Sequence, residues 1–194
     1  MSTRNRLIRT TGVVAMLSIF GAMSARAVGR QATTDKDVQI FDGFKKRVHE
    51  YVLVHQKVES SIGKLPDKAT PQQIDTFQRE LGKGVVAARV TAKQGDIFGP
   101  DAAALIHRLF NSVFSGPNGA RLRKEIMDEP HPAVPAVNAR YPDDVPLSTM
   151  PPDVLKVLPK LEEEIEYRFI GRHLILLDPH AHVVVDLVPN AMPA

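Results

Sequence analysis

The sequence predicts an α+β domain in which about four N-terminal helices pack on a three-stranded antiparallel meander at the C-terminus. Two patterns support this prediction. Apolar residues recur every three or four positions between residues 36 and 127, as in amphipathic helices, whereas apolar and polar residues alternate after residue 165, as in strands. Seven prolines lie between these regions, in the 23 residues from 130 to 152, and exclude a helix or a central strand there.

The first 27 residues have the three parts of a secretory signal peptide. Three arginines lie in the first nine residues without an acidic residue, residues 12–23 are apolar, and Ala25-Arg26-Ala27 is a cleavage site of the small-x-small type. The apolar stretch is shorter than the roughly 20 residues that a membrane helix needs. We therefore expect cleavage after Ala27, and a retained N-terminal anchor is the alternative.

Removing this segment changes the charge of the protein. The whole chain has 25 Lys and Arg against 22 Asp and Glu, a net charge of +3. Four of the arginines lie in residues 1–27, so the remaining chain has 21 basic and 22 acidic residues, a net charge of −1. Such a near-neutral domain gives no electrostatic reason to expect nucleic acid or an anionic membrane surface as partner.

The absence of cysteine narrows the possibilities further. The chain has no cysteine, so it has neither a disulfide framework nor a cysteine-linked lipid anchor. No later apolar run is long enough to span a bilayer. We expect a periplasmic or secreted protein with no membrane span after removal of the signal peptide.

Residues 28–35 are small and polar, which predicts a flexible leader ahead of a single domain over residues 36–194. Its helical part, residues 36–129, begins with an amphipathic helix over residues 36–62. Within this helix, His55 and Glu59 are four residues apart, which predicts a surface pair. The basic cluster Lys45-Lys46-Arg47 is interpreted as a solvated face of the same helix.

Three further helices are marked by their ends. Thr70-Pro71-Gln72-Gln73 is a capping-box pattern with proline in the first turn, and we expect this second helix to end near Gly95. Pro100-Asp101 opens a third helix. A short fourth helix, over residues 120–127, follows the turn Gly116-Pro117-Asn118-Gly119.

The proline-rich segment, residues 130–152, is called the strap below. It carries apolar residues that a free linker would not need, namely Val134, Val137, Tyr141, Val145, Leu147 and Met150. We therefore expect it to be ordered and packed over the domain. Residues 153–194 then form the β-meander and tail, after a helical turn over residues 153–158.

The first hairpin of the meander can be placed in register from its turn. Gly171-Arg172 has glycine at the first central position, which predicts a two-residue type II′ turn. This turn pairs Ile170 with His173 and Tyr167 with Leu176.

The second hairpin needs a longer loop because Pro179 cannot adopt the positive φ of a two-residue primed turn. We expect a four-residue loop over residues 178–181, which pairs Leu177 with His182 and Leu174 with Val185. In this register the helix-facing side of the sheet is wholly apolar, and Asp186 lies on the second face.

The loop between the last two strands is the candidate metal site. Asp178, His180 and His182 fall within five residues and offer carboxylate and imidazole ligands. A zinc site needs three or four convergent ligands held by further hydrogen bonds, and a surface turn offers three at most. We therefore favour a hairpin loop in which Asp178 accepts a backbone hydrogen bond and His180 is exposed. A metal-dependent hydrolase built on these three residues is the alternative.

Two further features of the second sheet face follow from the predicted register. His173 lies opposite Asp186, which predicts a cross-strand pair in which the carboxylate raises the pKa of the imidazole. A possible partner patch consists of five apolar residues, Ile170, Ile175, Leu177, Val184 and Val188. These form a binding surface only if neither the strap nor a helix covers them.

Three segments, VNARYP in the strap, QGDIF before the third helix and YRFIGRHLILLD through the first hairpin, resemble exported bacterial proteins of unassigned function. The similarity covers most of the chain after residue 27. It implies a shared fold and a location outside the cytoplasm. It implies no activity, cofactor or functional residue.

These observations favour a soluble, exported, non-catalytic binding or structural component of the cell envelope. No G-x-S-x-G, P-loop or H-E-x-x-H motif is present, and cysteine nucleophiles are excluded. We expect no cofactor, and the partner is an unknown envelope protein or ligand.

Overall fold

A computed structural model describes residues 34–194 except 132, 134 and 135, and the predicted signal peptide therefore lies outside the described residues. The helices are α1 (Asp35–Ile62), α2 (Pro71–Ala88), α3 (Gly99–Phe114), α4 (Gly119–Asp128) and the single turn α5 (Pro152–Leu155). The strands are β1 (Glu166–Ile170), β2 (His173–Asp178) and β3 (Val183–Val188). The structure confirms the α+β class, because the helices pack on one three-stranded antiparallel sheet of order β1-β2-β3.

Two capping boxes define the starts of the long helices. Thr34 and Asp37 exchange side-chain and backbone hydrogen bonds at the start of α1, and Thr70 and Gln73 do the same for α2. The helix α1 thus begins inside the expected leader. The helix α2 ends at Ala88, earlier than the expected Gly95. Within residues 34–194, no helix has both the length and the hydropathy needed to cross a lipid bilayer.

The first hairpin has the predicted register. Ile170 pairs with His173, and Tyr167 pairs with Leu176. Gly171 has a φ of 54°, and Arg172 is not among the residues of positive φ, as a type II′ turn requires.

The predicted register of the second hairpin is wrong. The loop comprises residues 179–182, so Asp178 pairs with Val183 and Leu177 with Val184. A β-bulge follows, in which Val185 has no partner and Leu176 pairs with Asp186. A bulge places one extra residue in a strand and redirects the side chains beyond it. Its effect here is to turn Asp186 toward the helices.

The core has two layers, one on each face of the sheet. The larger layer lies between the helices and the sheet and includes Phe44, Phe98, Phe110 and Leu174. The smaller layer lies under the strap, where Tyr141, Val137 and Val145 pack on the second face of the sheet.

The strap also makes backbone hydrogen bonds with the sheet. The N–H of Asn138 donates to the carbonyl of Val184, whose own N–H donates to Ala139, at 2.8 and 2.9 Å. At the opposite edge of the sheet, in β1, the hydroxyl of Ser148 donates to the carbonyl of Phe169 at 3.1 Å. The described part of the strap is therefore an ordered layer of the domain.

Helix α2 approaches the second hairpin so closely that only glycine fits at position 82. A Cβ atom there would lie 2.7 Å from the carbonyl oxygen of Ala181, a backbone atom that cannot rotate away. Alanine normally favours a helix over glycine by about 1 kcal/mol. We nevertheless expect Gly82→Ala to lower the free energy of unfolding by about 1–3 kcal/mol, because overpacking outweighs this gain. Urea denaturation measures the change.

The matched control is Gly43→Ala in α1, where the nearest atom to a new Cβ is the end of the Arg47 side chain at 3.6 Å. This variant should be stabilised by up to about 1 kcal/mol. Equal effects of the two substitutions would contradict the close approach of α2 to the hairpin.

Candidate functional site

The three candidate metal ligands in the second hairpin do not converge. Asp178 is fully buried beneath the loop and His180 is exposed at its tip. His182 points away from both, where its Nδ1 lies 3.0 Å from Asp143 Oδ1 and its ring stacks on Tyr141. In the described part of the chain, no group of three or more His, Asp or Glu residues could hold a metal ion.

Asp178 instead joins a buried polar cluster with helix α1. Its Oδ2 accepts hydrogen bonds from the hydroxyl of Tyr51 and from Nδ1 of His55, both at 2.6 Å, and its Oδ1 accepts from the N–H of Ala181 at 2.7 Å. Because a carboxylate oxygen only accepts, His55 carries a proton on Nδ1. Asp178 and His55 are both fully buried, so this cluster ties α1 to the hairpin loop.

The predicted surface pair of His55 and Glu59 is therefore wrong in one respect. His55 Nε2 does lie 3.9 Å from Glu59 Oε2, but His55 is buried and only Glu59 reaches solvent. Burial lowers the pKa of His55, but the hydrogen bond to Asp178 and the charges of Asp178, Glu59 and Glu164 outweigh it and raise the pKa above 6.5. Burial and the Asp178 charge also raise the pKa of Tyr51. The arrangement fixes a proton on His55 Nδ1 and raises the pKa of the imidazole.

Asp186 has a different partner from the one predicted. It is fully buried, and its carboxylate accepts four backbone hydrogen bonds, from Gly95, Ile97, Phe98 and Leu187, at 2.7–2.8 Å. Three of these donors belong to the segment that leads into α3. Asp186 thus fixes the start of that helix onto β3.

His173 does not lie opposite Asp186, because the bulge moves Asp186 opposite Leu176. The pKa of His173 is lowered, by burial and by the charges of Arg172 and His131, whereas the predicted pair required it to be raised. The cross-strand pair of His173 and Asp186 is therefore a wrong prediction.

Arg47 binds the carbonyl groups of the segment that leads into α3. Its guanidinium donates to the carbonyl oxygens of Ile97 and Phe98, at 2.6 and 2.8 Å. Asp186 accepts from the N–H groups of these two residues and Arg47 donates to their carbonyls, so both polar edges of the segment are satisfied. Arg47 is thus a structural residue and not only part of a solvated helix face.

The five residues of the possible partner patch are all buried. Ile170, Ile175, Leu177 and Val184 lie under the strap, and Val188 lies in the layer between the helices and the sheet. Val188 changes face because the bulge precedes it. The patch therefore offers no exposed surface to a partner.

An open groove of 300 Å³ lies between α2, the strap and β3. Its α2 wall carries Arg79, Lys83 and Val86, and the opposite wall carries Asn138, Arg140 and Val183. It thus combines three cationic side chains with an apolar floor.

A second groove, of 380 Å³, is lined by apolar side chains near Leu158 and Leu161. Its charged residues include Arg168 and Glu166, which form an ion pair with each other. With Lys160, the lining of this groove has two cations and one acid, whereas the lining of the groove beside α2 has three cations and no acid.

The sequence did not reveal the cluster of Tyr51, His55 and Asp178, because more than 120 residues separate the histidine from the carboxylate. One signal was present, since Tyr51 and His55 share the helix face of the buried Phe44 and Val48. A titratable residue on such a face requires a buried partner. No family model, curated protein or solved structure shows significant similarity to this chain.

Proposed function

We propose that the protein is exported and acts as a non-catalytic binding or structural component of the cell envelope, in the periplasm or as a secreted protein. The N-terminal 27 residues support export, as does the resemblance to exported bacterial proteins in the strap and first hairpin. The folded domain then binds a partner or ligand and catalyses no reaction.

The observation that carries the proposal is the use of the buried carboxylates. Asp178 accepts hydrogen bonds from its own loop and from Tyr51 and His55 of α1, and Asp186 accepts backbone hydrogen bonds from the segment before α3. Buried charges satisfied in this way serve the fold. The open groove beside α2 is lined instead by polar side chains such as Arg79 and Lys83, which suits reversible binding of a ligand.

Export is tested by expressing the whole chain with a C-terminal tag in a bacterial host. We expect to find the protein in the periplasm or the medium. Its mass should correspond to a chain that begins at Val28, because Ala25 and Ala27 fit the peptidase pockets. Replacing both alanines with arginine should block processing, while the control Ala22→Leu should not. Intact Met1 on the accumulated protein would contradict export with cleavage.

The alternative, a metal-dependent hydrolase at Asp178, His180 and His182, is distinguished by metal analysis of the purified protein. Under the proposal, replacing His180 and His182 together with alanine lowers the free energy of unfolding by about 1–2 kcal/mol, because His182 is largely buried, stacks on Tyr141 and bonds Asp143, and it leaves the metal content unchanged. One equivalent of zinc that is retained through purification and lost in this double variant would favour the hydrolase.

A further inference from the structure

Asp143, in the strap at the edge of the groove beside α2, is held by three nitrogen donors. Its carboxylate lies 2.9 Å from Arg79 Nη2, 2.6 Å from Arg140 Nη2 and 3.0 Å from His182 Nδ1. The Asp143 side chain is 47% exposed, so the cationic groups that surround it can be reached from solvent. Two guanidinium groups that meet on one carboxylate form an anion-binding arrangement.

The groove has more positive charge than Asp143 neutralises. Arg79 also pairs with Asp75, so two carboxylates face the three cations Arg79, Lys83 and Arg140. Lys83 is exposed and forms no hydrogen bond or ion pair with any residue that the structure describes. Arg140 Nη2 also donates to Gln78 Oε1 at 2.9 Å, so Lys83 is the uncommitted cation of the groove. Donor capacity for a further anionic group is therefore present.

The floor of the groove is apolar and backbone-lined. Val86 of α2 and Val183 of β3 both line it, and Gly82 leaves no side chain between the helix and the hairpin. Such a floor contacts a short hydrocarbon body, while the cations at the rim contact a charged head. A volume of 300 Å³ is at the lower end for small-molecule sites.

We propose that this groove binds a small organic anion with an apolar body, and that the Asp143 carboxylate competes with the ligand's anionic group for the same cations. The inference rests on the proposed binding function and names its ligand class. The anionic group pairs with Lys83 and Arg140, and the apolar body lies against Val86 and Val183. Both a carboxylate and a phosphate head have the required charge and acceptors.

Calorimetric titration of the mature protein with octanoate and with octyl phosphate tests the site and separates the two head groups. We expect one of them to bind more tightly than octan-1-ol, which lacks the charge, and than acetate, which lacks the apolar body. Lys83→Gln should weaken this binding by about fivefold, the scale of one exposed ion pair. Asp143→Asn should strengthen it by a similar factor, because it removes the competing carboxylate without changing shape.

The matched controls are Lys57→Gln and Asp144→Asn, two exposed residues outside the groove lining, which should change the affinity by less than about twofold. Far-ultraviolet circular dichroism confirms that each variant is folded. The inference is overturned if neither amphiphile binds to the wild type or to Asp143→Asn, if octan-1-ol binds equally well, or if the groove variants behave like the controls. Correct export and processing would stand in each of these cases, so the proposed location is tested separately.

Discussion

Replacing Asp186 with alanine should lower the free energy of unfolding by about 3–5 kcal/mol. The substitution removes the acceptor of four backbone N–H groups, and an unsatisfied buried donor costs about 1–3 kcal/mol before the chain relaxes. Domains of this size have about 5–15 kcal/mol of total stability, so the loss would be a large part of it. Guanidinium denaturation at neutral pH measures the effect.

Two further variants separate the hydrogen bonds of Asp186 from other consequences of the change. Asp186→Asn keeps the shape and one acceptor oxygen, so its loss of stability should be smaller than that of alanine. Asp144→Ala removes an exposed carboxylate of the strap and should change stability by less than about 0.5 kcal/mol. If Asp186→Ala were as mild as Asp144→Ala, the carboxylate would not be the anchor of the segment before α3.

Asp178→Asn should destabilise the protein most at mildly acidic pH, and the difference from wild type should narrow as the pH rises. The pKa of His55 is raised above its unfolded value of 6.5, chiefly by Asp178, with Glu59 and Glu164 adding to the effect against the opposing effect of burial. A raised histidine pKa contributes stability that is fully present below pH 6.5 and is lost as the pH passes through the folded pKa. The Asp178→Asn variant lacks most of the stability that the raised pKa of His55 contributes.

At pH 6 we expect Asp178→Asn to cost about 3–5 kcal/mol, as when one partner of a buried ion pair is removed. Urea denaturation between pH 6 and pH 9 measures the profile, and nitrogen-15 NMR of the histidine rings follows His55 directly. The control His49→Gln removes an exposed histidine of the same helix, which pairs with Glu162, and should leave the profile unchanged. Titration of His55 at or below pH 6.5, or parallel profiles for wild type and Asp178→Asn, would show that the pair is not ionised as described.

Local patterns in the sequence predicted most of the fold. The helices follow from three- and four-residue periodicity and from end signals such as Thr70-Pro71, and the first hairpin follows from Gly171. These signals are local because they depend on backbone conformation within a few residues.

The errors arose where distant residues determine the structure. At the bulge in β3, Asp186 lies on the opposite face from the one that alternation assigns to it, and it accepts hydrogen bonds from the segment before α3, about 90 residues away. His55 could not be matched with Asp178 for the same reason. One warning was available, because Asp186 stands within an apolar run, where a carboxylate needs strong partners.

The strap has a consequence for how this sheet meets other molecules. Its hydrogen bonds to Val184 occupy the free border of β3, and Ser148 occupies part of the border of β1. Unpaired strand borders are the templates on which proteins aggregate edge to edge, and covering them is a common protection. Displacement of the strap from the sheet would therefore expose both edge strands and allow them to pair with strands of other molecules.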